Sequence, residues 1–584
     1  MGRAPADLVI RGGTWACVQS GEFIAQTDIA AKRSRIAYVG PDASHTLGPQ
    51  TQVIEAEGRY LVPGLIDGHV HVESSMVTVT EFVRAVAPRG TTAVMIDPHE
   101  IANVLGLKGV RLMLDEAVVQ PINVWVQMPS CVPSAPGLET SGASIGPDEV
   151  AEAMTWPGII GLGEMMNFPG VFMSDEKLHG EMSATMQAGK TVGGHFAAPD
   201  TGIKFHAYAA GGPEDDHELT RLEDTVARIR QGMKAMLRLG SAWYDLEANI
   251  RAITQLGLDS RHFILVTDDS HSGTLLNDGH MDRVLRHAIE AGLDPMTALQ
   301  MMTLNPAEHF QVSADVGQIA PGRYADILLA QDLRNFNAEV VIAAGEVIAR
   351  DGRWVCELPQ YPWPFEVRQS IRIGRTLQPE DFAVRTGVKV RATVNVIGVI
   401  ENQAPTRHLR FEMQVEDGEI RTDQARDIAK VALIERHRGA GGVQVGFVHG
   451  FGFNAPCAVA STIAHDSHHL LAAGTDETSM ALAANRLAEI GGGMIVVNDG
   501  AVLAQVELPI AGLMSDERAE VVAAKTEELL AAYRACGCTL NNANMQLSLL
   551  ALVVIPELRI SDLGLVDVTR FKFLPVVETG PNDG

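Results

Sequence analysis

Cysteine is scarce in this chain. Six occur in 584 residues, at positions 17, 131, 356, 457, 536 and 538, and no two form a C-x-x-C pair. That excludes a disulfide scaffold and suits a reducing compartment, so a cytoplasmic setting is expected. Cys536-Gly537-Cys538 is a close pair and reads as structural. Positive charge is also short. Lys plus Arg is 46 against 72 for Asp plus Glu, a net charge of −26. The mean field of such a chain repels polyanions, so nucleic acid and anionic membranes are not expected partners, and a small neutral or cationic substrate is. Long apolar runs are missing too. LLALVVI at 549–555 is core-sized, well short of the roughly 20 residues of a membrane span. The opening MGRAPADLVIRGG lacks the apolar segment of a secretory signal. No G-x-x-x-x-G-K-[ST] phosphate loop occurs, and Gly161-Leu162-Gly163 fails the dinucleotide pattern because position 166 is Met. His71-Val72-Glu73 has no P-C-x-x-C to follow it, which excludes the nucleobase deaminases built on that zinc motif.

What the chain does hold is histidine. Nineteen are present, and twelve of them lie between His69 and His309. The hydrophobic share of 46% is that of a folded chain. At about 150 residues per domain, the length suits two to four domains. Residues 7–61 read as short strands and turns. From Tyr60 the rhythm changes, and apolar runs of strand length alternate with amphipathic helical stretches. Eight candidate strands follow: 60–72, 91–97, 122–128, 158–164, 191–196, a weak one ending at His217, 234–240 and 263–269. Helices are expected between most of them, in VTEFVRAVAPRG, GVRLMLDEAV and ELTRLEDTVARIRQG. Eight β-α units over about 250 residues predict a (β/α)8 barrel, here a distorted TIM-like one over 61–310. Residues 311–366 return to strands and are expected to complete a composite β-sandwich with 1–60, so that the barrel is inserted in it. LPQYPWPF (358–365) reads as a linker. Residues 367–584 predict a further α+β domain, with helices in ETSMALAANRLAEI and ERAEVVAAKTEELLAAYRACG.

Asp67-Gly68-His69-Val70-His71 is the strongest local feature. On a strand, residues i and i+2 point to the same side, so His69 and His71 present two imidazoles together. They stand at the strand's C-terminal end, the active-site face of such a barrel. Other strand ends add partners: Glu164 closes GIIGLGE, His195 closes TVGGH, His217 closes PEDDH and Asp268 closes FILVTD. Imidazole and carboxylate ligands suit zinc, iron or manganese, and a carboxylate can bridge two divalent ions. Packing alone explains this concentration poorly, because buried charge without a partner is costly.

PGLIDGHVHVESSM (63–76) resembles the first-strand motif of the amidohydrolase superfamily, and specifically of the adenine deaminase family. VMIDPHEIANVLG (94–106), GLGEMMNFPGV (161–171), GPEDDHE (212–218) and VTDDSH (266–271) are similar to that family as well. GQIAPGRYADILL resembles the strand that closes the superfamily's sandwich, and IAHDSHHLLAAGT (463–475) resembles the family's C-terminal domain. The resemblance covers nearly the whole chain. It implies a binuclear centre of two divalent metal ions, manganese or iron before zinc, held by His69, His71, Glu164, His195, His217 and Asp268. Glu164 stands where most two-metal members of the superfamily carry a carboxylated lysine, and Lys190 lies at the start of strand five, the wrong end. The implied reaction is hydrolysis of adenine by water to hypoxanthine and ammonia, a purine-salvage step. Asp268 would shuttle the proton. Glu218, or His99 with Glu100, would protonate a ring nitrogen. The alternatives are another amidohydrolase acting on a different aminopurine or a cyclic amide, or a catalytically inert barrel serving as a scaffold. All six expected ligand positions carry competent residues, which speaks against the scaffold.

His465, His468 and His469 form a second cluster, read as a polar interface that shields the barrel mouth. His280, His287 and His309 fall on helical stretches and are expected at the surface or behind the site. A homo-oligomer is the common outcome for such a chain.

Overall fold

The computed structural model describes residues 3–241 and 243–578. Its middle is a ring of parallel strands: β1 Leu65–His71, β2 Thr91–Ile96, β3 Asn123–Met128, β4 Ile159–Met165, β5 Thr191–Gly194, β6 Asp215–Asp216, β7 Lys234–Arg238, β8 Phe263–Val266 and the short β9 Asp268–Asp269. Pairing is parallel from β1 through β5 and from β6 through β8, and β9 returns to β1 at Asp268–Val70 and Asp269–His71. Glu214 N–H donates to Val192 O (2.9 Å), which bridges β5 and β6. The sequence-predicted sixth strand is therefore present but only two residues long, ending one residue before His217.

The strands are buried apolar runs, as a parallel sheet covered on both faces requires. Ile66, Ala93, Met95, Ile160, Met236 and Ile264 form one buried cluster with Phe310. Helices follow the strands, among them Val79–Val86, Leu107–Ala117, Glu176–Gln187, Leu222–Arg230 and Met281–Glu290. The first of these buries Phe82 and Val83. The barrel expectation holds at the level of these strands and helices.

One expected strand is corrected. The run 60–72 is two strands, because Tyr60–Pro63 belongs to an outer sheet and Leu65–His71 to the ring. The break falls at Gly64, where a Cβ would lie 1.8 Å from Thr92 Oγ1, so a side chain there would push the barrel's entry strand off its neighbour. Tyr60–Pro63 pairs antiparallel with Ile327–Ala330 and parallel with Leu8–Cys17. Through it the N-terminal strands and the strands after the barrel join in a single nine-stranded ladder, built around Leu8, Ile29, Leu61, Ile327 and Ile342. The two flanks are thus one sheet by hydrogen bonding.

Beyond it, a ten-stranded sheet runs from Val384–Arg385 to Ala501–Glu507. Helices Glu477–Ile490 and Ala519–Ala535 lie where the sequence places them. The first starts on Asp476, whose side chain accepts from Thr478 and Ser479 N–H, and stops at Gly491 in the left-handed region. This part touches the barrel through backbone and side-chain bonds. Ser515 N–H donates to Met76 O (2.8 Å), and the Ser134 hydroxyl donates to Asp466 Oδ2 (2.6 Å). Among the described residues, no helix is long and apolar enough to cross a membrane.

Candidate metal centre

All six predicted ligands meet at the C-terminal end of the ring. Glu164 is their centre. Its Oε2 lies 2.6 Å from His195 Nδ1 and 2.9 Å from His217 Nε2, and its Oε1 lies 3.7 Å from His71 Nε2. Asp268 Oδ1 lies 3.4 Å from His71 Nε2 and 3.9 Å from His69 Nε2. The His69 and His217 rings stack, with centroids 4.1 Å apart. Every one of these side chains is buried.

Local chemistry sets each one in place. Asp97 closes β2 and accepts the Glu164 N–H at Oδ2 (2.8 Å), while its carbonyl holds His71 Nδ1 at 2.9 Å. Asp97 reaches Glu164 because residue 163 is glycine, where a Cβ would sit 2.2 Å from Asp97 Oδ2. Asp67 ties β1 to the end of β8, accepting from Thr267 Oγ1 (2.5 Å) and lying 3.0 Å from His280 Nε2. Asp215 accepts from Gly194 N–H (3.0 Å) and contacts His309 Nε2 (2.7 Å), and Asp216 binds Arg228 Nε (3.0 Å). The two aspartates before His217 thus anchor its strand end. His280 and His309 are buried behind the site, as expected for residues supporting it, and Lys190 binds the carbonyls of Met154 and Ile159 at the far end of β4. Asp268 has φ 60°, an uncommon backbone for a non-glycine residue, and such positions concentrate at functional sites.

The charges are arranged for a cation. Burial, with His217 and His71 beside it, holds the His69 imidazole well below its ordinary pKa, and its Nε2 has no hydrogen-bond partner. Burial alone would raise Glu164, but His195 and His217 outweigh it and hold the carboxyl well below the usual range. A neutral imidazole with a free ring nitrogen is ready to ligate, and carboxylates flanked by imidazoles complete a donor set suited to divalent first-row metals. The residues present therefore fit such ions.

The predicted proton-handling residues lie at the rim. Glu218 Oε1 is 3.9 Å from His195 Nε2. Burial would raise Glu218, but Arg238, then His195 and His217, lower its pKa, so it is held ionised. His99 sends Nδ1 to within 3.3 Å of Glu164 Oε1 without a hydrogen bond, and Nε2 to within 3.8 Å of Asp466 Oδ1. Burial opposes charge on His99, but Asp466 outweighs it, and the pKa rises to about 10.

Two residues escaped the sequence reading. Arg238 closes β7, is buried, and joins Glu218 Oε1 (2.6 Å) and Asp268 Oδ2 (2.8 Å) through one Nη1 and Asp245 Oδ2 (2.8 Å) through Nε. Its signal was the one used for the other strand ends, an ionisable residue closing an apolar run. Asp466 comes from the far part of the chain, and no local pattern aims it at His99. Of the second histidine cluster, His465 lines the site's cavity of about 780 Å3 with Asp466. His469 instead meets Thr140 O at 2.9 Å, and His468 Nδ1 accepts from Ala464 N–H at 3.3 Å.

Residues 60–348 match the family model of the amidohydrolase family, and residues 403–572 match that of the adenine deaminase C-terminal domain. A protein of Rhizobium meliloti (strain 1021) named adenine deaminase 3 is 58% identical over 577 residues, covering 99% of this chain and 97% of its own. The adenine deaminase of Ruegeria sp. (strain TM1040) is 60% identical over 578 residues, covering 99% and 96%. That of Moorella thermoacetica (strain ATCC 39073 / JCM 9320) is 52% identical over 577 residues, again covering 99% and 96%.

Proposed function

The chain belongs to the adenine deaminase family of the amidohydrolases, and on that premise we propose that it hydrolyses adenine to hypoxanthine and ammonia at a binuclear metal centre, as a purine-salvage step. The observation that carries the metal reading is the convergence of four imidazoles on two buried carboxylates, with His69 Nε2 left unpaired. His69, His71, Glu164, His195, His217 and Asp268 would hold two divalent ions, manganese or iron in preference to zinc. When bound, such ions lower the pKa of water from about 16 to about 7, which makes attack on the ring carbon feasible at neutral pH.

The chain's own residues handle the protons. Asp268 is held by Arg238 at Oδ2, which leaves Oδ1 facing the histidines to take the proton of the attacking water. From there it goes to the departing amine. Glu218, kept ionised by Arg238, accepts a hydrogen bond from a ring N–H. His99, kept charged by Asp466, is the better proton donor of the two predicted candidates. The roof of the cavity, with Gln403, Asn541, Asn542 and Asp466, comes from the part of the chain after the barrel, so this reading makes 367–584 a domain that completes the site.

The test is ammonia release from adenine and other aminopurines, and ring opening of cyclic amides, before and after chelation and after reconstitution with manganese, iron or zinc. Adenine is expected to be the preferred substrate, and chelation to abolish its turnover. Preference for a cyclic amide would replace this reading with the other amidohydrolase activity.

Asp466→Asn tests the role of His99. Asparagine still accepts the Ser134 hydroxyl bond but removes the charge beside Nε2. Loss of a partner that orients a site histidine costs roughly 10–100-fold. We expect kcat to fall by that amount with KM for adenine little changed. An unaltered kcat would remove His99 from the proton path.

A further inference from the structure

In the second histidine cluster, His468 accepts from Ala464 N–H and His469 donates to Thr140 O. His465 does neither. Its Nδ1 lies 3.5 Å from Asp466 Oδ1, and the same oxygen lies 3.8 Å from His99 Nε2. The three donor atoms fall within 4.8 Å of one another. Both distances exceed the roughly 2.7–3.2 Å of a good hydrogen bond. Buried histidine–aspartate pairs elsewhere in the barrel do close to that range, His309 with Asp215 at 2.7 Å and His280 with Asp67 at 3.0 Å. The Asp466 spacings match instead the 3.4, 3.7 and 3.9 Å that separate Asp268 and Glu164 from His71 and His69 in the candidate metal centre. Ligands about 2.0–2.1 Å from one tetrahedral ion stand about 3.3–3.4 Å apart, so these donors stand where an ion would draw them in.

The three groups are oriented and reachable. Asp466 Oδ2 accepts the Ser134 hydroxyl (2.6 Å), which fixes the carboxylate with Oδ1 toward the imidazoles. The His99 ring meets His71 edge-on, with centroids 4.7 Å apart, and its Nδ1 is sealed against Glu164. That leaves Nε2 as the nitrogen open to a ligand. His99, His465 and Asp466 all line the cavity of about 780 Å3. Their side chains keep 6%, 10% and 4% exposure, so an ion reaches them from the cavity. Three protein ligands with a fourth position open to water are a common zinc arrangement.

We propose that His99, His465 and Asp466 form a further metal site, separate from the six-residue centre, that takes a zinc ion and inhibits the enzyme when it does. The donors select the ion, because two imidazoles and a carboxylate bind zinc more tightly than manganese or iron(II) at equal availability. His99 comes from the barrel, and His465 and Asp466 from the connection between strands Cys457–Ser461 and Leu470–Gly474, so the ion also ties the two parts of the chain together. The site stands on this geometry alone. Inhibition rests on the deaminase reading above. Zinc there holds the His99 ring nitrogen assigned to proton delivery and stands in the cavity that adenine must enter.

Crystals of the full-length protein grown with excess zinc test the site directly. An anomalous peak at the zinc edge is expected between His99 Nε2, His465 Nδ1 and Asp466 Oδ1, apart from any in the six-residue centre. No peak at that position overturns the proposal, and this arm needs no variant to fold. Metal analysis after equilibrium dialysis against zinc should find one more zinc per chain in the wild type than in His465→Gln. His465→Cys, whose thiolate also binds zinc, should keep it. The same count in all three overturns the site. Inhibition is read on enzyme preloaded with manganese, with its manganese content followed. Zinc should lower adenine turnover without displacing manganese, and the half-inhibiting concentration should rise by about ten-fold or more in His465→Gln. Equal sensitivity of the two proteins, or loss of manganese in step with activity, overturns the inhibitory role. A protein that takes zinc at this position but does not deaminate adenine refutes the deaminase reading and leaves the site standing.

Discussion

Asp268→Asn is expected to lower kcat for adenine by about 10²–10⁴, the range that general acid–base transfer contributes. The substitution is unusually clean at this position. Asp268 has φ 60°, and asparagine is among the few residues that adopt that backbone readily, so the turn after β8 should survive. The side chain keeps its size and loses its charge. Asp268 accepts from Arg238 Nη1 at Oδ2 and faces His71 Nε2 at 3.4 Å with Oδ1. An amide cannot satisfy both sides as an acceptor: turned one way its NH2 meets the arginine, and turned the other it meets the histidines. It also cannot take a proton from attacking water. Ammonia release and metal content should be measured together, because Asp268 is also a predicted ligand. Near-wild-type turnover with the metals retained would refute its role as proton shuttle. Loss of metal together with activity would show that its ligand role dominates.

The readable part of this molecule was the part written in strand-end residues. Period-two spacing put His69 and His71 on one side of a strand, and the ends of four further apolar runs named Glu164, His195, His217 and Asp268. The structure brings all six together because a parallel ring places every strand's C-terminal end on one face. The run 60–72 reads as one strand because YLVPGLI (60–66) is apolar on both sides of Gly64, so hydropathy does not mark the point where the chain passes from one sheet to another. Asp466 was illegible for a different reason. Its partner, His99, is 367 positions away in the chain, and only the packing of the late ten-stranded region over the barrel brings them together. Arg238 was legible in principle. An arginine inside KAMLRLG is costly to bury unless carboxylates await it, and two such carboxylates had already been named.

That arginine carries the second large effect. Arg238 is 3% exposed and makes charge-assisted bonds to Glu218, Asp268 and Asp245, while Trp243 lies 4.8 Å from the guanidinium carbon. Arg238→Met fills a similar volume but leaves three carboxylates facing one another with no cation. Removing one partner of a buried ion pair typically costs about 3–5 kcal/mol, so a clearly lowered melting temperature is expected. Turnover should fall at least as far as in Asp268→Asn, because both proton-handling carboxylates lose the donor that orients them. Arg238→Lys separates charge from shape. Lysine restores one positive charge but not the planar fork that reaches Asp245 through Nε and the other two through Nη1, so it should recover more stability than activity. Adding Asp245→Asn to Arg238→Met should return part of the stability and none of the turnover, since Asp245 does not join the histidines. Thermal melts and kcat measured on the same four proteins decide the matter. Stability and turnover that rise together across the set would make Arg238 a packing residue only. A recovery of stability without turnover is what its single Nη1, shared between Glu218 and Asp268, leads us to expect.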